Sequence, residues 1–256
     1  MILTSLESVV AGSSLEQRCE ILREAGFSGI DILGHTLGER IKEVRSATAA
    51  TGIRLIAVYA RLGEHTLLDA GVNARAHTLD LLKERLETAA KLDAEAVIFV
   101  PIFGPARMRA EAERMVLLAL LDELTAWSER SETGVPLVLE PLNSRDTHLV
   151  YDPREAVEIV QAVGSPLLRT MVDTYHMDLQ GLDMTEAIRA TAPYMRLVHL
   201  SDTDRKLPGQ GQIDFARVLS VLESVGYDGP LGLECNGNHD LEAMRRTAAY
   251  LRESRR

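Results

Sequence analysis

Four side chains of types that bind metals each follow a short apolar run in the second half of the chain. They are Glu140 after residues 137–139, Asp173 after 168–172, His199 after 196–198 and Glu234 after 230–233. The spacings between them are 33, 26 and 35 residues, close to the roughly 30 residues of one strand–helix–strand unit. Because the carboxyl ends of parallel barrel strands converge on the face that carries the chemistry, we expect these four side chains to meet there.

Three carboxylates and one imidazole around a single point predict a bound cation. Without one, the carboxylates would repel each other and their pKa values would shift strongly. An oxygen-rich set with one nitrogen suits Mn²⁺ or Mg²⁺ better than structural Zn²⁺, which favours thiolates. The alternative is that each residue is a separate, hydrogen-bonded buried polar group. It explains any one of them, but not the regular strand-to-strand spacing of all four.

The length and pattern of the chain predict a barrel. Its 256 residues match the typical size of a (β/α)₈ barrel, and 46% apolar with 26% charged residues is typical of a globular protein. Eight strand-plus-helix units can be counted, and no Pro- or Ser-rich linker divides them. We therefore predict an α/β fold with a single (β/α)₈ TIM-barrel domain over residues 1–256.

Charge and composition exclude several partner classes. A formal net charge of −10 predicts no nucleic-acid partner, because nucleic-acid binders carry basic patches. No apolar run approaches the roughly 18 residues that span a bilayer, and the first residues lack the basic start of a signal peptide. We expect no membrane partner and a cytoplasmic location. Two cysteines, Cys19 and Cys235, fit a reducing compartment.

The residues around the four ligands resemble one known family. The similar segments are Glu140-Pro141-Leu142-Asn143, Asp173-Thr174-Tyr175-His176, His199 with Arg205 six positions later, Pro208-Gly209-Gln210-Gly211, and Glu234. They resemble the xylose-isomerase-like sugar isomerases and epimerases, which include ketose 3-epimerases, hydroxypyruvate isomerases and inosose isomerases or dehydratases. The resemblance covers the whole chain in architecture and is most specific over residues 137–236.

This resemblance implies a mechanism and a cofactor. Glu140, Asp173, His199 and Glu234 would bind a divalent metal, with Mn²⁺ favoured and Mg²⁺, Co²⁺ or Zn²⁺ as alternatives. Glu140 and Glu234 would also be the acid/base pair of a reaction through an ene-diolate. The implied substrate is a small sugar or keto-polyol, and the implied assembly is a homo-oligomer, either a dimer or a tetramer.

Three residues are candidate substrate ligands by the same resemblance. His176 and Arg205 would bind substrate oxygens, the latter through its planar fork of donors. Asp146 stands six positions after Glu140, where ketose 3-epimerases often carry Glu. The pattern Asn143-x-Arg145-Asp146 is closer to the hydroxypyruvate-isomerase-like branch, but the Pro-Gly usual after it is missing. The branch therefore stays open.

Two aromatic residues, Tyr59 and Phe103, lie just past the third and fourth predicted strands. We expect them to pack in the core, with an apolar wall for a sugar ring as the alternative. His35, after the second strand, is expected either at the mouth of the barrel or on a surface loop.

The sequence therefore predicts a metal-dependent ketose isomerase or epimerase. A dehydratase of the inosose or dehydroshikimate type would use the same site and is the main alternative. An abasic-site endonuclease shares the barrel but resembles a site richer in histidine, and it fits the acidic charge poorly. A non-catalytic sugar-binding barrel would not need both glutamates.

Overall fold

Eight parallel strands close into a barrel in the computed structural model, which describes residues 1–255. The strands are β1 (Ile2–Leu6), β2 (Gly29–Leu33), β3 (Arg54–Tyr59), β4 (Ala96–Phe99), β5 (Leu137–Leu139), β6 (Leu168–Asp173), β7 (Met195–Leu200) and β8 (Pro230–Leu233). Each strand pairs in parallel with the next one in the chain, and β8 pairs with β1 to close the ring. The predicted (β/α)₈ barrel is confirmed.

Helices follow the strands and cover the outside of the barrel. They are α1 (Leu15–Ala25), α2 (Ile41–Thr51), α3 (Val72–Lys91), α4 (Ala110–Arg130), α5 (Pro153–Val163), α6 (Thr174–Gln180), α7 (Met184–Thr191), α8 (Phe215–Ser224) and α9 (Leu241–Ser254). The short helix α6 is an addition between β6 and α7. The segment that carries His176 is therefore helical.

The helix ends follow the signals present in the sequence. Asp152 accepts a hydrogen bond from the backbone N–H of Arg154 and precedes Pro153 at the first helical position, as expected for a capped start. Gly26 and Gly164 end α1 and α5 with positive φ angles of 84° and 72°, a conformation that glycine adopts without steric cost.

The strands are apolar and buried on both faces, as parallel strands covered by helices must be. Ile30, Ile56, Val58, Val97 and Val138 are all fully buried. Truncating one such side chain to alanine costs roughly 2–5 kcal/mol, so this core holds the strand ends in fixed positions. No α-helix within residues 1–255 is both long enough and apolar enough to cross a membrane.

Candidate active site

The four predicted metal-binding residues meet at the carboxyl ends of β5 to β8. They are called the ligand cluster below and comprise Glu140, Asp173, His199 and Glu234. Asp173, the last residue of β6, pairs in register with His199 of β7, whereas the two glutamates directly follow β5 and β8. One potential ligand atom of each residue lies within 4.8 Å of those of the other three. The convergence expected from the strand spacing is present.

His199 lies at the centre of the ligand cluster. Its Nδ1 atom is 3.1 Å from Oε1 of Glu140 and 3.0 Å from Oε2 of Glu234. The same nitrogen is 3.8 Å from Oδ2 of Asp173. The imidazole therefore presents one nitrogen to all three carboxylates.

The ligand cluster fits a divalent cation. Glu140, Asp173 and His199 are buried, and Glu234 is 24% exposed through its side chain. Burying ionised carboxylates is expensive unless positive charge compensates them. Opposite ligands of a six-coordinate Mg²⁺ ion lie about 4.2 Å apart, twice the usual metal–oxygen distance. Ligand atoms that all lie within 4.8 Å of one another match that scale.

The two glutamates sit in unequal electrostatic environments. Burial raises the pKa of Glu140, and the nearby charge of Glu234 raises it further. Burial also opposes ionisation of Glu234, but Arg205 and His199 outweigh it and lower the pKa of Glu234 below its ordinary value. Glu140 therefore holds a proton more readily than Glu234 does.

Asp173 is fixed from two sides. Its Oδ1 accepts hydrogen bonds from the N–H groups of Tyr175 at 2.7 Å and His176 at 3.3 Å, which caps α6. Its Oδ2 accepts one from Nη1 of Arg205 at 2.8 Å. Burial would raise the pKa of Asp173, but the charge of Arg205 and the other partners lower it below its ordinary value. Asp173 is thus held as a carboxylate.

Arg205 and His176 lie together beside the ligand cluster. Nη2 of Arg205 is 2.8 Å from Nε2 of His176, and because a guanidinium has only donors, Nε2 accepts. Nη1 of Arg205 is 3.3 Å from Oε2 of Glu234, and the guanidinium carbon lies 4.4 Å from the ring centre of Tyr175. Both side chains line the same cavity as Glu234.

The loop that carries Arg205 is organised by one buried carboxylate. Asp202 accepts hydrogen bonds from the backbone N–H groups of Thr203, Gly209, Gly211 and Ile213, all between 2.9 and 3.0 Å. These bonds fix the loop in which Arg205 has a φ angle of 57°, a left-handed conformation that residues with side chains adopt infrequently. A Cβ atom at Gly211 would collide with the carboxylate of Asp202. This close approach explains why the last residue of the Pro208–Gly211 motif is glycine.

Asp146 lies at the wall of the cavity, with its side chain 48% exposed. Its Oδ2 accepts a hydrogen bond from Nδ2 of Asn143 at 2.6 Å and lies 3.9 Å from Nδ1 of His176. The buried amide of Asn143 is also 2.7 Å from that same histidine nitrogen. Asn143 therefore contacts both Asp146 and His176, a position that no motif in the sequence marks.

A cavity of 620 Å³ opens above the ligand cluster. Its inner pocket is formed by Glu140, His176, Arg205 and Glu234. Its outer pocket, beside the loops after β2, β3 and β4, is formed by His35, Arg61, Leu62, Gly63, His65 and Phe103. Phe103, expected in the core, is instead 59% exposed on this wall. His35 lies at the mouth of the barrel.

Sequence comparison identifies the family. A family model described as "Xylose isomerase-like TIM barrel" matches residues 19–254. The chain belongs to this family. The match confirms the resemblance predicted from residues 137–236, and with it the prediction of an enzyme.

Relatives of this xylose isomerase-like chain carry the names of epimerases. D-psicose 3-epimerase of Enterocloster bolteae is 24% identical over 225 residues, which cover 86% of this chain and 71% of that protein. 3-Dehydro-D-guloside 4-epimerase of Escherichia coli is 23% identical over 250 residues, covering 92% and 93% of the two chains. The apo crystal structure of 3-keto-D-glucoside 4-epimerase from E. coli superposes with a TM-score of 0.88 at 22% identity, with 99% of both chains covered. At that identity the structural likeness concerns the fold.

Tyr59 sets the orientation of the histidine in this xylose isomerase-like site. Its hydroxyl is 2.9 Å from Nε2 of His199, and burial together with nearby carboxylates raises the pKa of Tyr59 well above its ordinary value, so the hydroxyl stays protonated. If Nδ1 of His199 binds a metal, Nε2 carries the hydrogen and donates it to Tyr59. Tyr59 is buried, as expected, but no pattern in the sequence indicates its contact with His199.

We expect Tyr59→Phe to weaken Mn²⁺ binding by about 10- to 100-fold, the usual cost of losing a partner that orients a metal-binding histidine. The measurement is a Mn²⁺ titration followed by calorimetry. Tyr194→Phe is the matched control, because the hydroxyl of Tyr194 bonds only Gln161 among the contacts of the described residues. Equal Mn²⁺ affinities for wild type and Tyr59→Phe would contradict the orienting role.

A further buried carboxylate, Asp31, lies inside the barrel near His199. It accepts hydrogen bonds from Oγ1 of Thr4 at 2.8 Å and from the N–H of Ala57 at 3.0 Å. A Cβ atom at Gly232 would lie 3.0 Å from Oδ2 of Asp31 and 3.3 Å from Cδ2 of His199, so glycine leaves room for this group. Burial raises the pKa of Asp31 to about 6.

We expect Asp31→Asn to stabilise the metal-free protein at pH 7.5 but not below pH 4. The folded pKa of Asp31 is about 6 against an ordinary 3.8. As the pH rises from 4 to 6 the folded state therefore loses stability, by about 3 kcal/mol for this group. Asparagine carries no charge and avoids that loss. Urea unfolding in chelator at both pH values measures the difference, and a stability gap that does not change with pH would contradict the assignment.

Proposed function

We propose that the protein is a divalent-metal-dependent sugar isomerase or epimerase that acts on a ketose or related hydroxy-ketone through an ene-diolate. The observation that carries this proposal is the placement of two glutamates, Glu140 and Glu234, at 3.1 and 3.0 Å from Nδ1 of His199 in the lining of the cavity. Proton transfer on both faces of a carbon requires two acid/base groups next to that carbon. Two neighbouring carboxylates can provide them.

The metal is proposed from the donors of the ligand cluster. Three carboxylates and one imidazole favour Mn²⁺, with Mg²⁺, Co²⁺ or Zn²⁺ as alternatives. A bound divalent ion would supply the positive charge that stabilises a developing oxyanion. Glu140, Asp173, His199 and Glu234 are the residues that would hold it.

The remaining residues of the inner pocket would orient the substrate. Arg205 offers guanidinium donors, and His176 presents its ring to the same space. Asp146 would accept a hydrogen bond from a sugar hydroxyl at the cavity wall. Fixing a flexible sugar in this way would place the reacting carbon between the two glutamates, and correct placement alone can lower the barrier by several kcal/mol.

In the proposed reaction, one glutamate removes a proton from the substrate and the other returns one. One carboxylate takes the hydrogen of the carbon that bears a hydroxyl next to the carbonyl, and the electrons of that C–H bond move to the carbonyl oxygen. The other glutamate returns a proton to the opposite face of the same carbon while the electrons on oxygen re-form the carbonyl, which gives the epimer. Return of the proton to the neighbouring carbon, together with transfer of a proton from the hydroxyl oxygen of the first carbon to the former carbonyl oxygen, gives the isomer. Glu140 and Glu234 are thus proposed as the acid/base pair, each with a carboxylate that can take or return a proton.

The choice of a keto-sugar as substrate is supported by the names of the relatives. D-psicose and 3-dehydro-D-guloside are both sugars with a ketone beside a hydroxyl-bearing carbon, and proteins named for their epimerisation match 86% and 92% of this chain. The reaction proposed from the residues needs that functional group.

Proton exchange with solvent tests the proposal. The Mn²⁺-loaded protein is incubated in D₂O with a panel of free ketoses, ketose phosphates and keto-glycosides, and the C–H signals next to the carbonyl are followed by NMR. We expect exchange with at least one substrate, abolished by chelator. A product that has lost water would replace the proposal by a dehydratase, and a metal-loaded protein that exchanges none of them would contradict it.

A further inference from the structure

The outer pocket extends the proposed site beyond the space that the reacting sugar needs. We propose that it is a subsite for an uncharged substituent on the sugar, so that the substrate is a glycoside of a keto-sugar rather than a free ketose or a sugar phosphate. This inference rests on the proposed function for the reacting end of the substrate. The size, the chemistry and the rigidity of the outer pocket support the subsite itself.

The cavity is larger than a free hexose needs. Its volume is 620 Å³, within the roughly 300–1,000 Å³ that accommodates a drug-sized ligand. Even at the ~30 Å³ that one water occupies in the liquid, the non-hydrogen atoms of a free hexose fill about 360 Å³. A sugar whose reacting carbon lies between Glu140 and Glu234 therefore leaves the outer pocket free for a second group.

The lining of the outer pocket favours a neutral, partly apolar group. Leu62 and the exposed ring of Phe103 supply apolar surface, and His35 and His65 supply polar edges. Among the described residues of this lining, Arg61 is the one side chain with a permanent positive charge, and it is exposed. Phosphate sites combine several charged or backbone N–H donors, so one exposed arginine does not favour a sugar phosphate.

Phe103 is exposed but held in place from both sides. The N–H of Gly104 donates to the carbonyl oxygen of Asp146 at 2.7 Å. On the other side, the hydroxyl of Thr147 donates to the carbonyl oxygen of Ile102 at 2.9 Å. The loop after β5, which carries Asp146 in the sugar site, therefore also fixes the backbone on both sides of Phe103.

A buried carboxylate also holds the loops after β4 and β5 together. Glu113 of α4 is fully buried, lies 2.7 Å from Nε2 of His148 and accepts the N–H of Arg107 at 3.1 Å. Nδ1 of His148 is 2.9 Å from the carbonyl oxygen of Gly104. A large exposed aromatic on a braced loop offers contact area at a low cost in conformational entropy. That is the property of a preformed stacking surface.

Binding of unreactive glycosides tests the subsite directly. Phenyl and methyl β-D-glucopyranoside carry no ketone, so their affinities for the Mn²⁺-loaded protein can be compared by NMR titration without turnover. We expect the phenyl glycoside to bind about 3- to 10-fold more tightly, as one aromatic contact provides. Phe103→Ala should remove that preference, and Phe103→Tyr should keep it. Met115→Ala is the control, because Met115 is 73% exposed and does not line the cavity.

Several results would overturn the subsite. Equal affinities of the two glycosides for the wild type would do so, as would a Phe103→Ala variant that weakens both equally. A ketose phosphate that binds more tightly than either glycoside, with the gain lost in Arg61→Ala, would turn the outer pocket into a phosphate site.

The exchange experiment in D₂O separates this inference from the proposed reaction. Equal exchange of a free ketohexose and of phenyl 3-keto-glucoside, unchanged by Phe103→Ala, would leave the epimerase reaction standing and refute the subsite. Discrimination between the glycosides in binding, without exchange of any keto-sugar, would support the subsite and refute the reaction.

Discussion

Replacing Glu234 by glutamine is expected to slow substrate proton exchange by about 10²- to 10⁴-fold, the usual contribution of a positioned acid or base. Glutamine has nearly the same shape and keeps a carbonyl oxygen towards the ligand cluster, but it cannot accept and return a proton. Because Glu234 faces the cavity with its side chain 24% exposed, the fold should tolerate the change. If each glutamate acts on one face of the carbon, Glu140→Gln should slow proton exchange by a similar factor.

Rates are to be compared on protein with the same measured Mn²⁺ content, so that metal loss does not imitate loss of the base. Glu7→Gln is a suitable control: Glu7 is also a buried glutamate, but it pairs with Arg40 at 2.7 Å and lies outside the cavity lining. It should lower stability and leave exchange per folded molecule unchanged. A metal-loaded Glu234→Gln protein with wild-type exchange would show that the two-glutamate mechanism is wrong.

The ligand cluster could be predicted from sequence because its members share a simple rule. Each residue stands at the end of an apolar run, and consecutive parallel strands bring such ends together. Asp173 and His199, for example, are 26 residues apart in the chain and paired in adjacent strands. Strand spacing carries that information without any knowledge of side-chain contacts.

Contacts that depend on closure of the barrel could not be predicted in the same way. Tyr59 and His199 are separated by 140 residues and meet across the barrel interior, and Asp31 reaches the same interior from β2. No local sequence pattern indicates the contact between Tyr59 and His199 or the position of Asp31 near His199. The buried, continuous character of β2 and β3 predicts that such residues are inside, but not which residue they contact.

Local structure also differed from the sequence prediction where a side chain captured backbone donors. Helix α4 begins only at Ala110, because the N–H groups of Arg107 and Met108 point to Oε1 of Glu113 instead of entering the helix. His176 is helical because Asp173 caps α6. In both places a carboxylate, rather than apolar periodicity, decides where the helix starts.

Mn²⁺ is expected to stabilise the protein against unfolding, and to bind more tightly as the pH rises from 5.5 to 7.5. Burial alone would lower the pKa of His199, but its hydrogen bonds to Glu140 and Glu234 raise that pKa well above the ordinary value. The pKa of Glu140 is raised as well. Both groups must lose a proton to act as ligands, so each proton released makes the apparent affinity rise about tenfold per pH unit below the relevant pKa.

Thermal unfolding with and without chelator measures the stabilisation, which is about 2.7 kcal/mol when free Mn²⁺ is 100 times its dissociation constant. Asp173→Asn removes one ligand charge but keeps an oxygen that can cap α6, so it should reduce the metal effect more than the stability of the metal-free protein. An affinity that falls with rising pH, or identical unfolding curves in Mn²⁺ and chelator, would mean that the three carboxylates of the ligand cluster are compensated by Arg205 and His199 alone. In that case the proposed reaction would lose the charge that it needs on the substrate oxygens.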